Sequence, residues 1–248
     1  MKTTMHLAAQ YLATAAISFI VKKEDDSHTN LGWNDHILET HEFSNGDKLG
    51  LNYQNFSLEW MQQNGSKESF SLNQSTHKEI TDWISQTSIS KDIQKPYKYE
   101  LHYELPYNEV TDESNYELTN REDLNTLIKQ RDLAQDVISS ILKFNEFDSA
   151  IRIWPHHFDT GAFVIVNDNL SIGIGMAIPD SFINDFYFYI SGYDGHDPVI
   201  LKSVDDLKHG NYYTNEWQGF AISLNGLDNE TAIDFSQTAI NSYLNTIA

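Results

Sequence analysis

Residues 151–160, Ile-Arg-Ile-Trp-Pro-His-His-Phe-Asp-Thr, hold the densest chemistry of the chain. An apolar run ends there at Pro155, whose ring fixes φ and whose nitrogen cannot join a ladder. His156, His157 and Asp159 follow at once. On an extended chain neighbouring side chains point to opposite faces, so His157 and Asp159 share one face and His156 takes the other. Imidazole with carboxylate admits two chemistries. The pair can ligate a divalent transition metal, which activates water if one position stays open. It can also act without metal, as a histidine base oriented by its aspartate. A third reading is architectural: the histidine donates to a backbone carbonyl after the Trp-Pro turn, and the aspartate caps a turn.

Two or three ligands from one segment do not close a metal site, so partners from elsewhere are needed. The candidate metal set is His28, His156, His157 and Asp159, with His36, His41 and Asp26 as further first-half groups within the same polar region. His157 and Asp159 are the candidate catalytic pair. A second cluster, Tyr212, Tyr213, Glu216, Trp217 and Phe220, joins aromatic bulk to a polar edge and reads as a pocket wall or as core. Trp154, His156, Glu216 and Trp217 are therefore the candidate ligand contacts. No HExxH, EF-hand, Walker A or Rossmann glycine pattern is present, and no Gly-x-Ser-x-Gly elbow. Gly173-Ile174-Gly175 sits in a strand pattern, where glycine admits a close neighbour or a bulge.

The elements that must hold these groups fall into two similar halves. Residues 1–107 read as helix, antiparallel meander and helix, residues 108–120 as an acidic connector, and residues 121–248 as a second helix and meander set, the whole one compact unit. The first helix carries Leu7, Ala8, Tyr11, Leu12, Ala15, Phe19 and Ile20 at helical spacing, interrupted by His6 and Gln10. That pattern favours an amphipathic helix over a secretion signal. Strands are expected at 31–43, 48–53, 56–61 and 67–72, with turns at Asn45-Gly46 and Asn64-Gly65. Strict alternation predicts the clearest strand at Tyr97–Tyr107, and Thr76/Glu79 and Thr119/Glu122 read as capping boxes. The next helix, to Phe144, has an apolar face broken by Arg131, which leaves a kink or two abutting helices as the expectation. Later strands are expected near 151–154, 162–166, 170–178, 185–193 and 217–224, before a helix whose face includes Ala232, Ala239, Ile240, Tyr243 and Ile247. In 185–193, Phe186, Phe188 and Ile190 oppose Tyr187, Tyr189 and Ser191, so one face buries and the other lines a cavity. Trp33-x-x-His36 and Trp154-x-x-His157 recur at matching points, which suggests an internal duplication. The fold class expected is α+β, each half an antiparallel β-meander with flanking helices.

The hexapeptide Trp154 to Asp159, Ile172 to Asp180, Tyr187-Phe188-Tyr189 and Thr214 to Gly219 together resemble an uncharacterised bacterial family with a WPHHFD or WPEHFD signature. Asp25 to Thr29 followed by Trp33 fits the same resemblance in the first half. The chain departs from that pattern at Pro179, where a glycine is expected, and at 193–198, which lacks aromatic and proline density. The resemblance implies no activity, substrate or cofactor.

Composition narrows the partners. The 248 residues carry 36 acidic and 16 basic side chains, three of them arginine, for a net charge of -20. Such a chain repels phosphate backbones and anionic headgroups, so neither nucleic acid nor a membrane surface is expected as partner. With no cysteine, thiolate chemistry and disulfides are excluded. The sequence expectation is a soluble, cytoplasmic small-molecule-binding protein with its pocket between the halves. The alternative is a metal-assisted hydrolase using the His-His-x-Asp cluster. Oligomeric state is open.

Overall fold

The computed structural model describes residues 1–204, 207–215 and 217–246. The fold is α+β with antiparallel sheets. The chain divides into two units, Met1–Gln130 with Ile153–His156, and Arg131–Arg152 with His157–Ala248. The acidic stretch 108–120 therefore lies within the first unit, and the division falls inside a helix.

The first unit opens with α1, Lys2–Phe19. An amphipathic helix was the expectation, but almost its whole circumference is buried, including the polar side chains of His6, Gln10 and Thr14. These stand four residues apart and form one row on the helix. Segment 97–107 supplies the partners of that row. Tyr103 Oη donates to Gln10 Oε1 at 2.7 Å, Tyr107 Oη lies 3.0 Å from His6 Nδ1, and Tyr97 Oη lies 2.8 Å from Thr14 Oγ1. One turn on, Ser18 Oγ accepts from the Lys98 backbone N–H at 3.0 Å. The segment is not a strand, in contrast to the sequence expectation. Alternation signals a chain with two unlike faces; here the tyrosine face satisfies a helix row instead of joining a ladder.

Five strands form a meander in chain order: β1 Gly32–Asn34, β2 Ile37–Glu39, β3 Lys48–Asn52, β4 Ser57–Met61 and β5 Lys67–Ser71. The single strand expected over 31–43 is instead a hairpin. Asn34 pairs with Ile37, and Asp35 and His36 between them have φ of 48° and 62°, the two-residue turn whose twist matches a right-handed hairpin. The Asn-Gly turns fall as expected, with Gly46 and Gly65 at φ +81° and +87°. In β4, expected to be half-buried, Ser57 and Glu59 are buried too, and Glu59 is satisfied by Asn52 Nδ2 at 2.7 Å and Lys67 Nζ at 3.2 Å.

β6 Ser75–Thr76 leads into α2 His77–Ser90 through the expected capping box of Thr76 and Glu79, and pairs with β7 Asn115–Tyr116. The second cap lies one residue beyond the expected Thr119/Glu122 box: Asn120 Oδ1 accepts from the Glu122 N–H at 2.9 Å, and Asn120 Nδ2 donates to Asp123 Oδ1 at 2.7 Å. Helix α3, Arg121–Phe144, is unbroken through Arg131. After it comes β8, Arg152–Ile153, whose Ile153 exchanges two 2.8 Å backbone hydrogen bonds with Leu31 of the first unit.

The second unit is built on β9 Thr160–Asn167, β10 Leu170–Ala177, β11 Tyr187–Asp194, β13 Asn211–Thr214 and β14 Gln218–Ser223, in spatial order β13-β14-β11-β10-β9. The short β12, Asp197–Pro198, pairs with β11. Ala162, Val164, Ile172, Ile174, Phe188 and Ile190 pack one face against α3 and α4, Asn229–Leu244. Asp228 caps α4 by accepting from the Thr231 N–H at 2.8 Å. Ile247, expected on its apolar face, lies outside the described residues. The two sheets differ in strand order, so a duplication is not shown. Among the described residues no helix is long and apolar enough to cross a membrane.

Candidate functional site

The hexapeptide is shared between the units, Trp154, Pro155 and His156 in the first, His157, Phe158 and Asp159 in the second. In the first unit the Pro155 carbonyl accepts from His6 Nε2 at 2.8 Å and Gln10 Nε2 at 2.9 Å. The two polar residues that interrupt the apolar pattern of α1 thus anchor the Trp-Pro turn. His156 packs its ring 6.1 Å from Trp154 and 5.5 Å from Tyr103.

In the second unit His157 is exposed, whereas Phe158 and Asp159 are buried. Phe158 has φ of 60°, which swings the chain into β9. On the core face Arg131 of α3 reaches this bend. Its guanidinium donates to the Phe158 carbonyl at 2.7 Å and to Thr160 Oγ1 at 2.5 Å, and lies 4.4 Å over the Phe158 ring. This accounts for a charged residue on the buried side of α3: its donors and its planar cation are used where the backbone bends.

Asp159 belongs to the opposite face. Tyr189 Oη donates to Asp159 Oδ2 at 2.6 Å, and Asp159 Oδ1 is buried with no hydrogen-bond partner among the described residues. The approach depends on glycine. Gly175 stands beside both Gly161 and Tyr189 in the sheet, and a Cβ at Gly175 would sit 2.4 Å from Tyr189 Cζ. A Cβ at Gly161 would sit 3.2 Å from Tyr189 Oη. The tyrosine ring therefore crosses a floor without side chains to reach the aspartate. Burial, then the Asp159 charge, pushes the Tyr189 hydroxyl well above its ordinary pKa, so it stays a donor.

Beside it lies an aromatic cluster. Trp217 is 6.3 Å from Tyr189, and Phe182 is 4.7 Å from Tyr213, 5.6 Å from Trp217 and 6.0 Å from Tyr187. The rings meet at steep angles, 60° to 87° in these contacts, as edge-to-face packing favours. Asp180 holds the loop that presents Phe182. Its Oδ1 accepts from the Phe182 and Ile183 N–H groups at 2.8 and 3.0 Å, and its Oδ2 accepts from Tyr187 Oη at 2.8 Å. Burial, then Asp180, raises the Tyr187 pKa.

Of the expected site residues, Asp159 and Trp217 thus share one neighbourhood through Tyr189. Glu216 lies outside the described residues. His28 is buried in a 3₁₀ turn, with its pKa lowered chiefly by burial, and its Nδ1 faces the Lys23 N–H at 3.4 Å. His36 is bonded to Gln54 and His41 to Asn30, each at 2.8 Å, while Asp26 faces His102 at 3.4 Å. Among the described residues no three histidine, aspartate and glutamate side chains gather as a metal-holding group. The sequence reading named none of Arg131, Tyr189, Asp180 and Phe182 as a site residue, although it placed Tyr189 on the strand face expected to line a cavity. The first two had signals: a charge inside an apolar helix face, and a strand of glycines next to a strand of tyrosines.

Elsewhere in the first unit an open cleft of about 520 Å³ lies among Thr3, Thr4 and Leu7 of α1, residues 106–110 and residues 114–116. No residue of the hexapeptide lines it.

No protein-family model, curated protein or solved structure matches the chain.

Proposed function

We propose that this protein binds a small organic molecule on the aromatic face of the second unit, with Asp159 as polar anchor and Tyr189 and Trp217 as the adjoining wall. The reading keeps the soluble, cytoplasmic small-molecule binder expected from sequence and rests on groups of one unit alone. The observation that carries it is Asp159 Oδ1, a buried carboxylate oxygen without a partner beside half-buried rings. An unmatched acceptor of this kind costs about 1–3 kcal/mol, more when charged, and that cost is recovered when a donor arrives. Convergent polar groups set in aromatic walls are the usual make-up of small-molecule sites. The WPHHFD hexapeptide supports membership in the signature family as part of the same proposal, since its last residue is the anchor.

The test is a small-molecule screen against the full chain, read by thermal shift and by the ¹⁵N-indole signals, with Trp217 assigned from Trp217→Phe. Ligands that stabilise the protein are expected to move the Trp217 signal and to lose affinity in Asp159→Asn. Stabilising ligands that leave Trp217 unmoved and bind Asp159→Asn unchanged place the site elsewhere and refute the reading.

A further inference from the structure

We infer that the occupant of this face is a protonated amine carried on a flat apolar body, an inference that rests on the small-molecule reading above. The argument is an inventory of what the face still has to offer. Of the tyrosine hydroxyls on this face, the two beside the carboxylates are already committed as donors, Tyr189 to Asp159 Oδ2 and Tyr187 to Asp180 Oδ2. The unmatched charged group is Asp159 Oδ1, which can only accept. The strands contribute no lysine or arginine to this face: its β9 positions are Gly161, Phe163 and Ile165, and its β11 positions Tyr187, Tyr189, Ser191 and Tyr193. The nearby cation, Arg131, is on the core face, with its guanidinium on Phe158 and Thr160. An anion or a pure acceptor would therefore meet a carboxylate with no strand lysine or arginine to offset it. A neutral donor would satisfy the oxygen, and an ammonium would satisfy it with a charge-assisted bond.

The surroundings favour the charged donor further. The ring bonded to Asp159 is Tyr189, with Trp217 6.3 Å from it, and aromatic faces attract cations through their quadrupoles. The chain's net charge of -20 raises the local concentration of small cations and lowers that of anions. Flatness follows from the floor. Gly175 and Gly161 form a strip without side chains that the Tyr189 ring itself covers, while Ser191 Oγ and the Tyr193 ring stand over Gly173. The face is therefore surfaced by rings laid on the sheet, and a planar body stacks on such a surface better than a bulky one.

Benzylamine, benzyl alcohol and benzoate test the inference, because they share a body and differ in the head group. Each is titrated into the full chain while the Trp217 indole signal is followed. Benzylamine is expected to move that signal and to bind at least about tenfold more tightly than benzyl alcohol, the margin of a charge-assisted over a neutral hydrogen bond. Benzoate is expected to leave it in place. Added salt is expected to weaken benzylamine and not the alcohol, a comparison made on the native chain that does not depend on any variant folding. Asp159→Asn is expected to bring benzylamine down to the alcohol's level. If the alcohol or benzoate binds as tightly as the amine, the amine assignment is wrong while the small-molecule site stands. If none of the three moves the Trp217 signal, the amine assignment fails; the site itself then fails separately only if the broader screen also leaves Trp217 unmoved.

Discussion

Tyr189 donates its hydroxyl to Asp159 Oδ2 at 2.6 Å across a floor made by Gly161 and Gly175, and the other carboxylate oxygen is left without a partner. The pair joins the last residue of the hexapeptide to the middle of β11. It converts a loop carboxylate into a fixed one, because the tyrosine ring is itself held between strands.

Removing the hydroxyl leaves both oxygens of a buried carboxylate unmatched. Tyr189→Phe is therefore expected to destabilise the protein by about 1–3 kcal/mol. Asp159→Asn keeps an acceptor for the tyrosine and is expected to cost less. In a double-mutant cycle of Tyr189→Phe with Asp159→Ala, measured by urea unfolding, the two changes are expected to cost less together than their sum, by at least about 0.5 kcal/mol. Simple additivity would show that the bond contributes nothing of its own.

Gly175→Ala tests the floor. Its Cβ would lie 2.4 Å from Tyr189 Cζ, so the ring must leave its place and take the Asp159 bond with it. Gly173→Ala meets Ser191 Oγ at 3.0 Å, a smaller group that can turn aside. Overpacking of this kind costs typically about 1–3 kcal/mol. Gly175→Ala is expected at or above the upper end and Gly173→Ala below it, in the midpoint of urea unfolding. Equal costs would remove the special role given to the Tyr189 ring.

Much of this was legible in the sequence, and the reasons differ by element. The Asn-Gly turns and the Thr76 cap rest on local turn and cap chemistry, and they came out as read; β11 formed as a strand, but Tyr187 and Ser191 of the face expected to line a cavity are buried along with Phe188 and Ile190. Gly173-Ile174-Gly175 was read as making room for a neighbour, and the neighbour of Gly175 is Tyr189. What failed depended on partners distant in sequence. Nothing local distinguishes the Tyr97–Tyr107 alternation of a strand from that of a segment docked on a helix; the difference is Gln10 and Thr14, more than eighty residues away. The hairpin at Asp35-His36 was missed because no glycine marks it. The histidines drew attention to metal chemistry, whereas the aspartate two residues beyond His157 is the group that the second unit buries and holds through Tyr189.

His77 gives the first unit a pH dependence. Its ring is buried, its Nδ1 shares a 2.8 Å hydrogen bond with Tyr11 Oη, and burial holds its pKa below the usual 6.5. Because the folded-state pKa is depressed, the unfolded chain binds the proton more readily between the folded value and 6.5. Stability from this group is then fully present above 6.5 and is lost as pH falls through the folded value. His28, also depressed by burial, adds in the same direction. The urea midpoint is expected to fall between neutral pH and about pH 5, and His77→Gln to flatten that fall. An unchanged slope in the variant would mean that other groups set the dependence.

Gln10 offers the sharpest test of the polar row on α1. Its amide nitrogen donates to the carbonyls of His6 and Pro155, both at 2.9 Å, and its oxygen accepts from Tyr103 Oη. Glutamate has the same shape, but when ionised it has no donor for either carbonyl. Gln10→Glu would therefore set a buried charge against two carbonyl oxygens, and only the Tyr103 hydroxyl would favour it. Gln10→Met forfeits the bonds without adding a charge, and is expected to cost about 1–3 kcal/mol. Gln10→Glu is expected to cost more than Gln10→Met at neutral pH, with its carboxyl pKa driven up by burial and by the facing carbonyls. As pH falls the carboxyl protonates and regains a donor, so the excess over Gln10→Met should shrink toward about pH 5. Comparing both variants with the native chain at each pH cancels the histidine contribution. If Gln10→Glu is no worse than Gln10→Met at neutral pH, the two carbonyls do not face a dry, closed row, and the hold of α1 on the Trp-Pro turn is weaker than its hydrogen bonds imply.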